Sequence, residues 1–205
     1  MKAFFSVSAL NTMSPLLTVG ILTVGNVREL SLQRLLNALR THKEYADSIE
    51  IIVNRDDGAK AVGEKRNEIL DQATGLFVCF IDDDDMVHDQ YVPRLVNIIR
   101  ENPNLDCIGF SGMYHVDGRE VMKFKHANRY GGHFKDEHGV QHRPVNHINP
   151  VRTEHARRVR FPHTNFSEDM DYCNRLLASG FIKNEIIVDE IMYLYLWSPS
   201  GTLTQ

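Results

Sequence analysis

Two groups of carboxylates stand out by type and spacing. Asp82-Asp83-Asp84-Asp85 closes the apolar run 76–81 (LFVCFI), and Glu168-Asp169 follows Ser167 at the start of a helical pattern. Packing four like charges together is costly, and a fold tolerates it mainly where a cation neutralises them. Hard oxygen ligands suit Mg²⁺ or Mn²⁺, and one or two carboxylates leave coordination positions open for phosphate oxygens. In open α/β sheets, ligands bind beyond the carboxyl ends of the strands, which is where residues 82–85 should lie. The plainer alternative is a solvated acidic turn capping the next helix. Glu168 and Asp169 have a similar alternative, since the helix dipole favours acids in the first turn. A base that takes a proton from a hydroxyl must instead face a cleft.

Other polar groups could join this chemistry. Lys65-Arg66, in Gly63-Glu64-Lys65-Arg66-Asn67, could reach phosphate, or could be a solvated helix face beside Glu64 and Glu68. From residue 121 to 163, nine Lys/Arg stand against three acids, a local +6 that leaves −10 for the rest of a chain with net charge −4. Seven of the ten histidines also fall there. Such a division suggests an acidic body with a basic insertion that meets something anionic. Within it, Arg152, Arg157, Arg158 and Arg160 could contact an anionic acceptor or form a solvated face. His147-x-Asn149-Pro150 could face the cleft or bond its own turn. His138, His142 and His147 are loosely spaced and lack a cysteine, which makes a poor zinc pattern.

These residues need elements to hold them. The run 16–24 (LLTVGILTV) reads as a buried first strand. Leu32, Leu35, Leu36 and Leu39 then fall on one helix face. Residues 48–53 (SIEIIV) read as a second strand closed by the turn 54–58. A helix over about 64–73 follows, with Gly75 placed to cap it. Strand 76–81 comes next, then a helix through Val92, Leu95, Val96 and Ile99 with Pro103 as a stop. Residues 106–114 and 120–125 form a hairpin around Asp117-Gly118. Residues 126–166 show no regular period and read as a lid or substrate loop. Ser167 is placed to cap a helix to Ala178 that turns Met170, Cys173 and Leu177 inward and ends at Gly180. Residues 186–197 form a closing strand. The expected fold is α/β: a Rossmann-like, mostly parallel sheet flanked by helices, with a short antiparallel hairpin and a basic loop insertion. At 205 residues, 42% of them hydrophobic, the chain suits one such domain and excludes a disordered or fibrous one. About 16–115 is the expected nucleotide-binding part and about 116–205 the acceptor side.

The order of these pieces resembles family 2 glycosyltransferases, from about Thr18 to Leu177. The likeness is most specific at Arg66-Asn67, Ala73-Thr74-Gly75, the run 80–85 and Ser167-Glu168-Asp169. It implies a GT-A fold and transfer of a sugar from a nucleotide-sugar, with a UDP-sugar the expected donor, to an acceptor hydroxyl. Asp82-x-Asp84 matches the family's metal motif: Asp82 near the ribose, Asp84 holding Mn²⁺ or Mg²⁺ against the diphosphate, with Asp83 between them. Thr23 matches a position lining the base, and Asp56 or Asp57 the Asp on the base edge. Arg66 matches a position facing the nucleotide. Glu168-Asp169 matches the Glu-Asp pair whose Asp is the catalytic base, so transfer would invert the anomeric configuration. Residues 126–163 occupy the place where the family binds its acceptor, and His147 and Asn149 there, with Trp197 on the closing strand, are the candidate acceptor residues.

The resemblance has gaps. The closing strand carries no histidine as a further metal contact, and the Gln-x-x-Arg-Trp motif of processive synthases is missing, which points to a small, non-processive enzyme. A saccharide is the expected acceptor. A hydroxymethylated DNA base, stacked on Tyr130, Phe134 or Trp197, is the alternative. A nucleotidyltransferase or phosphohydrolase needs a Gly-rich phosphate loop or an early nucleophilic Asp, and Thr23-Val24-Gly25 supplies neither. A non-catalytic sugar-nucleotide binder has no use for Asp169. No apolar run has the length of a transmembrane helix. The run from Lys2 to Thr12 resembles a secretion signal only faintly, and three cysteines with no C-x-x-C pair suit a reducing cytoplasm.

Overall fold

A computed structural model describes residues 15–198; the signal-like run from Lys2 to Thr12 lies outside them. Strand β1 (Leu17–Val24) runs between β2 (Ile49–Asp56) and β3 (Phe77–Asp82), parallel to both. Its near-complete burial explains why the sequence is apolar without alternation. Helix α1 (Glu29–Leu39) connects β1 to β2, and α2 (Val62–Gln72) connects β2 to β3. The two-residue β4 (Met86–Val87) and helix α3 (Tyr91–Glu101) follow. Pro93 is harmless in α3 because the first turn's N–H groups have no helical partner.

Beyond α3 come β5 (Cys107–Val116) and β6 (Arg119–His126), antiparallel around Asp117-Gly118 as expected. The closing strand β10 (Glu185–Trp197) pairs parallel with β5 and antiparallel with β4. Short strands β7 (Phe134–Lys135), β8 (Gln141–Arg143) and β9 (Val151–Arg152) complete one ten-stranded sheet, and β9 bridges β3 to β5. Helix α1 buries Leu32, Leu35, Leu36 and Leu39 on one face of the sheet, beside Leu95, Ile98 and Ile99 of α3, while Leu30 of α1 stays exposed. On the other, α2 packs with α4 (Thr153–Val159) and α5 (Glu168–Ser179).

Several local expectations are corrected. Asn54, Arg55 and Asp56 belong to β2 rather than to a turn, because β1 continues beside them as far as Val24. Gly75 does not cap α2, whose C-cap is Ala73. It is glycine because a Cβ there would lie 2.6 Å from the Thr18 amide. The stretch 126–166 is not structureless: it contains β7, β8, β9 and α4. In α5 the inward residues are Glu168, Tyr172, Cys173 and Leu176, while Met170 and Leu177 are half-buried. Ser167 precedes that helix in a left-handed conformation (φ 59°) and makes no side-chain cap.

Candidate active site

The C-terminal ends of β1, β2 and β3 lie side by side, which brings Thr23, Asp56 and Asp82 to one edge of the sheet. Lys65, buried on α2, donates from Nζ to the Thr23 carbonyl at 2.8 Å and to Asp56 Oδ1 at 2.6 Å. Lys65 therefore joins β1 to β2, and the expectation that its ammonium reaches phosphate does not fit this arrangement. Asp56 also accepts the Lys60 amide, and its carboxyl is held low by Lys65 and backbone donors against the upward push of burial. Asp57 is exposed in the following turn, accepting the Ala59 amide.

Next along α2, Arg66 and Asn67 explain the Arg-Asn pair in the sequence. The buried Arg66 guanidinium donates to Glu168 Oε1 at 2.7 Å and lies 3.5 Å from Asp82 Oδ1. The rings of Phe80 and Phe161 lie 5.7 and 5.3 Å from it, within cation–π range. Asn67 exchanges two 2.9 Å hydrogen bonds with the Phe161 backbone. Together they tie α2 to the segment leading into α5. Glu168 thus turns inward onto Arg66, whereas Asp169 beside it faces a cleft.

The four aspartates have different surroundings. Asp82 faces Arg66 and, at 3.8 Å, His147 Nε2. Burial pushes its carboxyl up, but His147, Arg66 and Arg28 outweigh this and hold it well below the usual carboxylate range. Asp83 and Asp84 share Arg28 Nη1, at 2.8 and 2.9 Å. Burial and the neighbouring Asp82 and Asp83 push Asp84 up to about 6 against the pull of Arg28. Asp85 is internal, accepting the Tyr193 hydroxyl at 2.6 Å and the Leu196 amide at 2.7 Å, and burial raises its carboxyl well above the ordinary value. It anchors β10 to the aspartate turn.

A cleft of ≈ 290 Å³ opens beside this turn. Its lining includes Asp82, His147, Asp169 and Arg143 together with Tyr114, Tyr195, Met122 and Phe124. Tyr114 and Tyr195 stack with centroids 4.7 Å apart. His147 sits between the two acids, with Nδ1 3.9 Å from Asp169 Oδ2; both ring nitrogens are buried and make no hydrogen bond. Its backbone is pinned to β3 by the Phe80 amide. Burial raises the Asp169 carboxyl, but His147, Arg66 and Arg143 dominate and lower it, so Asp169 is ionised at neutral pH. An ionised carboxylate in a cleft can accept a hydroxyl proton.

The three expected acceptor residues separate. His147 lines the cleft. Asn149 is buried, and its amide bonds the Asn146 amide, the Ile108 carbonyl and His126. Trp197 lines a different cavity, ≈ 650 Å³, together with Arg28, Asp84, Val27 and Leu30. Most of the arginines expected to meet an anionic acceptor are committed within the fold. Arg157 donates to the Leu70 and Ala73 carbonyls at the end of α2, and Arg152 to those of Leu105 and Pro103. Arg160 pairs with Asp71, and Arg158 lies over the Phe181 ring. His142 pairs with Asp136. Sequence reasoning missed Arg28, Arg143 and Tyr193, which have no motif neighbour to mark them.

Asp82 and Asp84 offer the hard oxygen pair that Mg²⁺ or Mn²⁺ accepts when substrate phosphates complete its shell, so the donor set fits such an ion. Among the described residues, no group of three or more His, Cys, Asp or Glu could hold a metal. No helix is long and apolar enough to cross a membrane among the described residues.

Helices on both faces of a mostly parallel sheet, with acids gathered at its carboxyl edge, define a GT-A domain. Residues 31–164 match glycosyl transferase family 2, and the chain belongs to that family. Crystal structures of S. aureus TarS share the fold. The 1–349 fragment in complex with UDP-GlcNAc superposes with a TM-score of 0.62 at 16% identity, over 89% of this chain and 58% of that one. The same fragment in complex with UDP gives 0.60 at 17% identity, over 91% and 62%. The chain thus spans about three fifths of those fragments. No curated protein matches it.

Proposed function

We propose that this domain transfers a sugar from a nucleotide-sugar, a UDP-sugar in the first instance, to an acceptor hydroxyl with inversion at the anomeric carbon. One observation carries the reading: Asp82 and Asp169, from β3 and α5, converge on one cleft across His147. The UDP and UDP-GlcNAc complexes of TarS support the choice of donor. Thr23 and Asp56, joined through Lys65, take the base end of the donor, and Arg66 and Asp82 the part nearer the diphosphate. Asp82 and Asp84 would hold Mn²⁺ or Mg²⁺, which supplies positive charge for the departing diphosphate. Asp169 is the general base: it takes the acceptor proton as that oxygen attacks the anomeric carbon. Glu168 is a positioning residue that acts through Arg66.

The stacked Tyr114 and Tyr195, which line the same cleft as Asp169, suit the apolar face of a sugar ring, which favours a saccharide acceptor. The DNA-base alternative loses support because Arg152, Arg157 and Arg160 are spent on carbonyls and on Asp71. Proton NMR of the product, with and without chelation of divalent metal, tests the reading. It predicts the opposite anomeric configuration from the donor and no product after chelation. Retained configuration, or full turnover in chelator, would refute it.

A further inference from the structure

The aspartate turn already holds a cation of the protein's own. Arg28, immediately before α1, places one nitrogen, Nη1, between two carboxylates, 2.8 Å from Asp83 Oδ1 and 2.9 Å from Asp84 Oδ2. Its side chain is 14% exposed and that of Asp83 5%, so both are held away from water, while Asp84 is open at 26%. A donor shared by two carboxylate oxygens occupies the kind of position a small cation takes. Asp82 feels the charge of Arg28 but pairs with Arg66 and His147. A metal using Asp82 and Asp84 must therefore draw Asp84 away from Arg28, and Arg28 would keep Asp83.

We propose that Arg28 is a resident counter-cation of the donor site, which yields Asp84 to the metal when a nucleoside diphosphate arrives and then pairs with the diphosphate. The inference rests on the donor-site reading above. Metal alone must take Asp84 from the guanidinium without replacing that contact. Metal with diphosphate supplies the replacement, and a guanidinium fork suits phosphate oxygens. Arg28 thus disfavours bare metal and favours the metal–diphosphate pair, which makes the two ligands bind cooperatively.

The chain's single tryptophan, Trp197, lines the same cavity as Arg28 and Asp84 and reports on it. Trp197 fluorescence is titrated with Mn²⁺ alone, and then with UDP at fixed Mn²⁺, in wild type, Arg28→Ala and Arg28→Lys. For Arg28→Ala the expected shifts are opposite: Mn²⁺ alone binds more tightly and UDP with Mn²⁺ more weakly. Each shift should be about tenfold, the scale of one charge-assisted hydrogen bond. Arg28→Lys, which keeps a charge without the fork, should show the same signs at smaller size. It carries the test if Arg28→Ala does not fold. A merely structural arginine would weaken both ligands or neither, and any pattern other than opposite shifts overturns the proposal while leaving the donor site intact. Failure of the wild type to bind UDP with Mn²⁺ would overturn the proposal and the donor reading together.

Discussion

Adjacent acids on the first turn of α5 should fail in opposite ways. Glu168 is 9% exposed at its side chain, and its partner Arg66, at 2.7 Å, is 4% exposed. Breaking a buried pair from one side costs about 3–5 kcal/mol. Glu168→Gln keeps an acceptor, and Asp82 stays 3.5 Å from Arg66, so the low end, about 3 kcal/mol, applies. In a domain of this size that lowers Tm by about 6–12 °C. Asp169 is 28% exposed, and its partners stand at 3.8 and 3.9 Å. Asp169→Asn should therefore cost under about 1 kcal/mol of stability. It removes the base, so transfer should fall by about 10²–10⁴-fold, some 3–5 kcal/mol of barrier, with UDP affinity little changed. Thermal unfolding followed by circular dichroism and transfer from a panel of UDP-sugars separate the two. An Asp169→Asn enzyme that still transfers at the wild-type rate, or a Glu168→Gln protein as stable as wild type, would refute the division of roles.

Three further predictions concern the frame of the site. Gly63→Ala places a Cβ 1.7 Å from the Pro162 carbonyl oxygen, so α2 must part from the segment before α5, at a cost of about 3 kcal/mol by chemical denaturation. Tyr193→Phe leaves buried Asp85 short of its 2.6 Å donor and should cost about 2 kcal/mol in the same assay. Burial drives His126 from its usual 6.5 down to about 3, with Arg143 adding to the effect. Folding therefore favours the neutral ring: its contribution is complete above about pH 6.5 and is lost as the pH falls towards 3. Stability should drop by up to about 1.4 kcal/mol per pH unit in that window, and His126→Gln should flatten the slope.

What the sequence discloses and what it hides divide along physical lines. The buried strands and the leucine face of α1 were legible because burial on both sides leaves a continuous apolar run and one-sided burial a 3.6-residue period. The aspartate turn and Asp169 were legible because unusual charge sits at element ends. Helix α4 was hidden because it has only seven residues, and its arginines read as acceptor contacts or a solvated face when Arg157 closes the carbonyl end of α2. Lys65 misled in a similar way: a lysine beside an arginine suggested phosphate, yet its ammonium joins two strand ends. His147 was visible as a residue but not as a bridge, because Asp82 and Asp169 meet it only across the tertiary fold. The resemblance to family 2 supplied the order of the pieces, which no local pattern contains.

Thermal unfolding with UDP and Mn²⁺, beside Asp84→Ala, tests the donor site most directly. At about 100 times its dissociation constant the ligand should add about 2.7 kcal/mol, a rise of about 5–11 °C in Tm. The account predicts that rise in the wild type, its dependence on Mn²⁺ and its loss in Asp84→Ala. An equal rise in Asp84→Ala would contradict the role of the aspartate turn, and no rise with any nucleoside diphosphate would contradict the nucleotide-sugar donor itself.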